Sequence, residues 1–333
     1  MVYGATGHTG RFVVEELLRR GLAPVLGGRD ADRLAAVSSR HPGLEHRVVG
    51  LDDVDLLREA TAGVGAVINC AGPFLDTAFP LASAVVSAGA HYLDVTAEQP
   101  VVQQLYRALD APARQAGVAV VPAMAFYGGL ADLLVSAALD GDTSADEVEV
   151  AIGLDRWWPT AGTRTTGARN TAVRMVISRG ELAPLVSPSP TGSWTYPPPL
   201  GEQSVVQLPF SEVMTIHRHI AVGELRSYLN SAPLDDLRDP ATPPPSATDE
   251  AGRSAQRFVV DVVVRRGSAL RRVSASGRDI YAVTAPIVVE GAVRLLGGRY
   301  RAVGAVAPAQ AFDGGDVLAS LGRNVDGFVV RWS

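Results

Sequence analysis

Residues 4–10 read Gly-Ala-Thr-Gly-His-Thr-Gly, and this stretch decides the fold. Apolar Val2 and Tyr3 precede it, and residues 11–20 follow with the apolar spacing of an amphipathic helix. A strand, a glycine turn and a helix in that order form the phosphate-binding corner of a dinucleotide fold. The spacing G-x-x-G-x-x-G also fits a simple glycine turn before a helix. The predicted cofactor contacts here are Gly4, Thr6, Gly7, His8, Thr9 and Gly10.

The composition excludes several classes of protein. Of 333 residues, 47% are hydrophobic and 20% charged, which is typical of a globular chain with a large core. The net charge is −5 and there is no basic block, which argues against a nucleic-acid partner. No apolar run reaches the roughly 18–20 residues of a membrane span. All 30 basic side chains are arginine, which excludes a Schiff-base lysine.

The single cysteine, Cys70, excludes an internal disulfide and fits a reducing compartment. The N-terminus has no charged n-region and no cleavage pattern of a signal peptide. We therefore expect a cytoplasmic protein. Only three residues precede Gly4 where a first strand usually has about five or six, which suggests a native start upstream of Met1.

The tip of the second strand indicates the cofactor. Residues 24–28 are an apolar strand that ends at Arg29, where a dinucleotide's adenosine ribose sits. A guanidinium there suits the 2′-phosphate of NADP(H), so Arg29 is the first predicted contact and Arg33 the second. A solvated surface arginine is the alternative for Arg29. Asp30 is expected to cap the next helix.

Further strands follow at intervals of roughly 20–25 residues with helices between them, which predicts a parallel, doubly wound Rossmann-type sheet. After the third strand, Asp52 either faces the adenine edge or caps a helix. The fourth strand ends in exposed backbone where the nicotinamide half would pass, and Thr96 follows the fifth strand. The cofactor contacts predicted along this edge are Asp52, Cys70, Ala71, Gly72, Pro73, Phe74 and Thr96.

After residue 122 the pattern changes to strands and irregular segments, and a long apolar helix returns at 281–296. We expect an inserted α+β domain on a mixed or antiparallel sheet, with the substrate cleft between the domains. The predicted division is 1–125 plus 285–333 for nucleotide binding and 126–284 for the insertion. Within it we expect a strand at 212–219 and helices at 171–177 and 222–229. Exposed loops are predicted at 184–199 and 233–253.

The chain resembles the saccharopine dehydrogenase-like reductases. The resemblance rests on residues 4–10, Gly28-Arg29, residues 71–74, 90–98, 126–132 and 277–281. It implies NAD(P)H hydride chemistry and a nucleotide-binding domain with an inserted sheet domain. Members of the family reduce imines or enoyl groups, so the resemblance leaves the substrate open.

Hydride transfer also needs a proton source. Tyr127 lies in a glycine-flanked loop after the sixth strand, and its alternative role is packing in a hinge. Glu98 follows the fifth strand and can face the cleft, whereas Asp94 is expected to satisfy backbone donors. His217 and His219 would share one face of a strand, but no third ligand of matching spacing appears, so no metal is assigned. Tyr127, Glu98 and His217 are the predicted catalytic residues.

The adjacent tryptophans 157 and 158 should line a pocket or an interface, which favours a partly apolar small-molecule substrate. Arg156, Arg164 and Arg169 either bind an anionic group or carry rim charge. A homodimer through the inserted sheet is a further expectation.

Three functions remain open from the sequence. The first is an NADPH-dependent reductase of C=N or C=C bonds, the second a non-catalytic NADP-binding sensor, and the third a structural subunit of a larger complex. The third predicts no affinity for the cofactor.

Overall fold

The computed structural model describes residues 1–333. Six strands lie in the first 121 residues: β1 (Val2–Tyr3), β2 (Leu26–Gly28), β3 (His46–Val48), β4 (Ala66–Asn69), β5 (His91–Asp94) and β6 (Ala119–Val121). The helices of this part of the chain are α1 (His8–Arg19), α2 (Ala31–Arg40), α3 (Val54–Thr61), α4 (Phe74–Ser87) and α5 (Gln99–Ala116), and α6 (Gly129–Leu139) follows.

The first sheet is parallel, and its strands lie in the order β6-β5-β4-β1-β2-β3. The central strands are apolar runs, and all four residues of β4 are buried because helices cover the sheet. The order reverses direction between β1 and β4, where open α/β sheets bind their ligands at the carboxyl ends of the strands. The predicted Rossmann-type sheet is thus confirmed.

A second sheet follows in the chain. Its strands are β7 (Ser144–Leu154), β8 (Met175–Ser178), β9 (Glu181–Pro184), β10 (Thr191–Thr195), β11 (Glu202–Gln207), β12 (Ala221–Asn230), β13 (Arg257–Arg266) and β14 (Ala269–Arg278). The helices in this stretch and just after it are α7 (Ala161–Arg169), α8 (Glu212–His217), α9 (Ala232–Arg238) and α10 (Ile280–Leu296). Strands β7 and β12 pair in parallel and the others antiparallel, so the sheet is mixed, as predicted.

The C-terminal stretch returns to both sheets. It contains β15 (Gly304–Ala305), α11 (Pro308–Ala311), α12 (Gly314–Asn324) and β16 (Val329–Trp332). Strand β15 pairs with β6 at the edge of the first sheet, and β16 pairs with β14 at the edge of the second. The predicted division at residues 125 and 285 stays a prediction, and β16 joins the inserted sheet although it lies beyond residue 285.

Two predicted elements of the insertion are exchanged. The segment predicted as a strand at 212–219 is helix α8, and the helix predicted at 222–229 is strand β12. Glu212–Ile216 are buried on every side of α8, so the sequence has no helical period there. In β12, Leu225, Ser227 and Leu229 are buried in alternation, which is the period of a strand.

Three smaller predictions also differ from the structure. The helix predicted at 171–177 overlaps strand β8, and the nearby helix α7 ends earlier, at Arg169. The two predicted loops contain β10 and most of α9. Their proline and serine content indicated exposure, but short edge elements tolerate the same composition.

The first lobe is built on the first sheet and the second lobe on the second sheet, and the two lobes share one core. A single cluster of 84 buried apolar residues contains side chains from both sheets. Gln99, at the start of α5, links the lobes through its side-chain amide, which donates to the carbonyls of Met175 and Phe210 and accepts from the N–H of Met175. No helix has the length and apolar character needed to cross a bilayer.

Candidate functional site

Two positions of the corner must be glycine, because a Cβ atom there would collide with neighbouring backbone. Gly4 has φ +82°, and a Cβ there would lie 2.8 Å from the backbone nitrogen of Ala71. A Cβ on Gly10 would lie 2.1 Å from the carbonyl oxygen of Gly4. The first contact brings the ends of β1 and β4 together, and the second brings α1 against the turn. The corner therefore has the tight geometry that its sequence predicts.

The N-terminus of α1 is open to an anion. Its N-cap, Gly7, has no side chain, and the first turn contains no acidic residue. Free N–H groups and the positive end of the helix dipole favour phosphate binding at such a terminus. The ring of His8 packs edge-on against Phe12 and Tyr281, and burial lowers the pKa of His8, which favours the neutral imidazole at pH 7.

Four arginines near this corner form no salt bridge: Arg11, Arg29, Arg33 and Arg40. A hollow of about 380 Å³ is lined by three of them together with Thr6 and His8. Arg33 donates to the carbonyl of Thr6 at 3.3 Å, and Arg29 is exposed at the tip of β2. Asp30 caps α2 by accepting from the N–H of Arg33, as expected. These side chains fit a 2′-phosphate, because the arginines around the hollow have no carboxylate partner.

Asp53 rather than Asp52 caps α3, and its carboxylate accepts from the N–H groups of Asp55 and Leu56. Asp52 is exposed beyond β3. The helix cap therefore does not explain Asp52, and its adenine contact stays a prediction.

The loop after β4 is held by a buried polar network that the sequence analysis missed. The Asn69 side chain accepts from the N–H of Ala71 and donates to the hydroxyl of Tyr92, which donates to Asp94. Thr77 donates to the carbonyl of Ala71. Asn69, Tyr92 and Asp94 are fully buried, so this network fixes the backbone of residues 71–74 at the sheet edge.

Asp94 joins the ends of β5 and β6. Its carboxylate accepts from the N–H groups of Thr96 and Ala123, as predicted, and burial raises the pKa of Asp94 to about 6. Thr96 is fully buried, and its hydroxyl accepts from the N–H of Glu98. Burial also raises the pKa of the Cys70 thiol, which agrees with a small filler rather than a nucleophile.

Glu98 is the least satisfied carboxyl group at this edge. It is 1% exposed, and neither carboxyl oxygen has a hydrogen-bond partner. Burial raises the pKa of Glu98 to about 7, the charges of Asp94 and Asp76 act in the same direction, and the nearby N–H of Leu75 opposes them. A buried carboxyl with this pKa exchanges a proton near neutral pH.

Tyr127 lies in an aromatic cluster. Its ring centroid is 4.3 Å from that of Phe210 and 5.9 Å from that of Trp157, with further contact to Phe126. The Tyr127 hydroxyl is buried without a partner, and burial raises the pKa of Tyr127 well above 10. The phenol therefore stays protonated, and no hydrogen bond joins it to Glu98.

The histidines do not share a face. His217 ends α8, whereas His219 lies beyond the helix, and the strand argument that paired them was wrong. Nε2 of His219 lies 2.8 Å from a carboxylate oxygen of buried Asp132, which raises the pKa of His219. Burial lowers the pKa of His217, and its Nδ1 has no partner. Nothing in the contacts brings His217 to Tyr127 or Glu98, so its catalytic role is an untested prediction.

The three predicted anion-binding arginines have partners within the chain. Arg164 donates to the carbonyls of Leu237, Asp239 and Thr242, and Arg169 forms a bidentate salt bridge with Asp76. Arg156 lies over the ring of Trp158, 5.6 Å from its centroid. Trp157 is 4% exposed and packs within the chain, whereas Trp158 is half-buried.

Tyr281 is a further site residue that the sequence alone did not single out. Its hydroxyl accepts from Nε1 of Trp157 at 3.1 Å and lies 2.9 Å from Oγ1 of Thr163. Its ring contacts His8, so it connects the second lobe to the glycine corner. Tyr281 is part of the motif 277–281, but its partners Trp157 and Thr163 lie more than 100 residues away in sequence.

A groove runs outside the nucleotide edge. Its volume is about 940 Å³, and it lies along the outer side of α1 between Phe12, Arg253, Pro286 and Phe328. It meets the smaller hollow at His8 and Arg11. At the carboxyl edge of the first sheet, Glu98 is buried and Tyr127 is half-buried.

Comparison with known proteins agrees with this geometry. The family model described as saccharopine dehydrogenase NADP-binding domain matches residues 1–121. A probable mitochondrial saccharopine dehydrogenase-like oxidoreductase of Arabidopsis thaliana is 28% identical over 141 residues, which are 38% of this chain and 31% of that protein. A lipid droplet localized protein of Caenorhabditis elegans is 30% identical over 148 residues, 41% of this chain and 35% of that protein. The matched region thus spans about a third of each relative's length.

The fold of the complete chain has a solved counterpart. Apo saccharopine dehydrogenase (L-Glu forming) from Saccharomyces cerevisiae superposes with a TM-score of 0.70, over 100% of this chain and 99% of that one. The identity is 10%, so this likeness shows the shared fold alone. Both the glycine corner and the family model lie in the first lobe. The likeness in sequence is therefore carried by residues 1–121, which match the family model of the saccharopine dehydrogenase NADP-binding domain.

Proposed function

We propose that this protein is an NADPH-dependent reductase that transfers hydride to a C=N or C=C bond of a small or medium-sized, partly apolar metabolite. The observation that carries the proposal is the buried, unpartnered carboxyl of Glu98 at the edge where the nicotinamide half is predicted to pass. The cofactor supplies the hydride. The chain supplies the cradle, the proton and the exclusion of water.

NADP(H) is the proposed cofactor rather than NAD(H). Support comes from the family model's description and from the unpaired arginines around the 380 Å³ hollow. The open N-terminus of α1 would hold the pyrophosphate, while Arg29 and Arg33 would hold the 2′-phosphate.

Glu98 is the proposed proton donor. Its pKa of about 7 makes the protonated acid available near neutral pH, and its oxygens have no competing partner. Tyr127 stays neutral at all physiological pH values, so its proposed role is a hydrogen-bond donor within the aromatic cluster. The half-buried ring of Tyr127, which packs on Phe210 and Trp157, would contact an apolar part of the substrate.

The test is NADPH consumption against a panel of cyclic imines and enoyl compounds, followed by pH–rate profiles on the best acceptor. We expect the rate to fall as pH rises through about 7, because Glu98 loses its proton there. Glu98→Gln should remove most of the single-turnover rate while NADPH affinity is kept. Tyr127→Phe should slow the step less.

A non-catalytic NADP-binding sensor is the second candidate, supported by the same cradle. Tight NADPH binding with no turnover of any acceptor would favour the sensor over the reductase. Cytoplasmic location stays a prediction, and two relatives are named for mitochondria and lipid droplets instead. A homodimer through the second sheet also stays a prediction, supported by the half-buried Trp194 and Tyr228 on it.

A further inference from the structure

Helix α7 has no buried side chain, and hydrogen bonds and a salt bridge attach it to the rest of the protein. None of its nine residues is buried, and its sequence contains no side chain larger than threonine other than arginine. At a rise of about 1.5 Å per residue it spans about 13 Å. Segments with few buried apolar contacts open locally at low free-energy cost.

One end of α7 is attached near the glycine corner. Thr160, its N-cap, accepts from the N–H of Thr163, and the Thr163 hydroxyl lies 2.9 Å from the hydroxyl of Tyr281. The Tyr281 ring in turn contacts His8 of the corner, with centroids 5.3 Å apart. The start of the helix is therefore coupled to the predicted pyrophosphate site.

The other end of α7 is attached at the predicted nicotinamide loop. Thr166 lies close to Gly72, because a Cβ atom added to Gly72 would lie 3.3 Å from Oγ1 of Thr166. Arg169 binds both carboxylate oxygens of Asp76, at 2.6 and 2.9 Å, in the first turn of α4. Helix α7 thus crosses from the glycine corner to residues 72–76, along the path that a dinucleotide would follow.

The salt bridge at this end is accessible to solvent. The side chains of Arg169 and Asp76 are 52% and 45% exposed. Exposed ion pairs stabilise the folded state by about 0.2–1 kcal/mol. A pair of this strength favours the docked position of α7 but still lets the helix open. Arg164, in contrast, donates to three carbonyls of the segment 237–242, which gives α7 a stable attachment on its outer side.

We propose that α7 is a lid over the dinucleotide, hinged at Arg164, and that the Arg169–Asp76 salt bridge is the latch that holds it closed. This inference rests on the proposed NADP(H) site. Its consequence is that the latch controls the rates at which the cofactor enters and leaves, and affects the cofactor's equilibrium affinity less. Arg169 and Asp76 act through the position of α7 and contact no reacting atom.

The first arm of the test needs no nucleotide. Hydrogen exchange of residues 161–169 is compared in the wild type, Asp76→Asn and Arg169→Gln, and both variants should exchange about three- to fivefold faster, the ratio that corresponds to about 0.7–1 kcal/mol. The matched control is Arg301→Gln, which breaks the similarly exposed pair with Asp313 far from α7. Exchange at 161–169 that is the same in all four proteins would overturn the latch.

The second arm measures NADPH association and dissociation by stopped-flow fluorescence. Both rate constants should rise severalfold in Asp76→Asn and Arg169→Gln, with the dissociation constant changed less than about twofold. The exchanged pair, Asp76→Arg with Arg169→Asp, should return exchange and both rates toward wild type, which a merely structural defect would not do. Faster exchange with unchanged NADPH rates would overturn the lid, whereas absence of NADPH binding in the wild type would instead refute the proposed function.

Discussion

Arg29 stands at the tip of β2 with an exposed guanidinium and no salt-bridge partner. Its proposed role predicts that Arg29→Ala lowers NADPH affinity about tenfold or more and leaves NADH affinity unchanged, because only NADPH carries the 2′-phosphate. Titration of both nucleotides against intrinsic fluorescence measures the two affinities. Arg107→Ala, at an exposed position on α5, is the matched control. Unchanged NADPH affinity in Arg29→Ala would show that Arg29 does not bind the 2′-phosphate.

Glu98 makes stability depend on pH in a direction opposite to that of most carboxyl groups. Its folded pKa of about 7 exceeds the ordinary value of 4.5, so the folded state favours the protonated form. The contribution of Glu98 to stability is therefore fully present below about pH 4.5 and is lost as pH rises through about 7. Glu98→Gln removes this loss, because the amide cannot ionise.

We expect Glu98→Gln to gain about 2 kcal/mol or more relative to wild type between pH 5 and pH 8. Urea unfolding at the two pH values measures the free energies of unfolding. The exposed Glu202→Gln serves as the control. An equal free-energy difference at both pH values would mean that Glu98 is not buried in its acid form.

The sequence predicts those site residues that belong to a local motif and misses those that are isolated in the sequence. The glycine corner, Arg29 and the loop 71–74 follow local spacing rules, and the structure places them along one edge. Asn69 and Tyr92 escaped notice because a lone polar residue in an apolar strand has no sequence pattern, and its partners appear only when neighbouring strands align.

At the level of elements, α10 begins at an unusual residue. Asp279 has φ +54°, and its carboxylate accepts from the N–H groups of Tyr281, Ala282 and Ser254. Asp279 is fully buried, so no water can replace these three bonds. The cap fixes the first turn of α10, and that turn places Tyr281 against His8.

We predict that Asp279→Ala destabilises the protein by about 2 kcal/mol or more, because it removes a helix cap and leaves buried donors without partners. Asp279→Asn should cost less, since asparagine keeps an acceptor and tolerates positive φ. Thermal unfolding compares the three proteins. Equal melting temperatures for Asp279→Ala and wild type would contradict the proposed role of the cap.

Element prediction failed mainly in the insertion. Helix α8 and strand β12 were exchanged because α8 is buried on all sides and gives no helical period. Helix α7 went unnoticed since its short polar sequence resembles a loop, and its contacts to Tyr281 and Asp76 are distant in sequence. In the first sheet, by contrast, each apolar strand is followed by an amphipathic helix, which is a local signal.

At the scale of the whole molecule, the side chain of Gln99 links the two lobes. Its amide satisfies both backbone groups of Met175 and the carbonyl of Phe210, and the side chain is 5% exposed. Gln99→Leu would leave these groups unpaired between the lobes. Each buried group without a partner costs about 1–3 kcal/mol.

Gln99→Leu should therefore lower the free energy of unfolding by about 2–4 kcal/mol and weaken the coupling of the lobes. Urea unfolding followed both by tryptophan fluorescence and by circular dichroism is the measurement, and transitions that separate would reveal the weakened coupling. Gln104→Ala, at an exposed position on the same helix, should change stability by less than about 0.5 kcal/mol. A variant as stable as wild type would show that the lobes do not depend on Gln99.

The path of the chain through the two sheets has a consequence for biosynthesis. The first sheet receives its edge strand β15 only from residues 304–305, and α10, which covers α1, comes only after the whole second sheet has been made. Domains usually fold one after another as the chain leaves the ribosome, N-terminal part first. The nascent first lobe therefore keeps apolar surface uncovered until residues 280–305 have been translated. Such a chain is expected to depend on chaperones that act during translation.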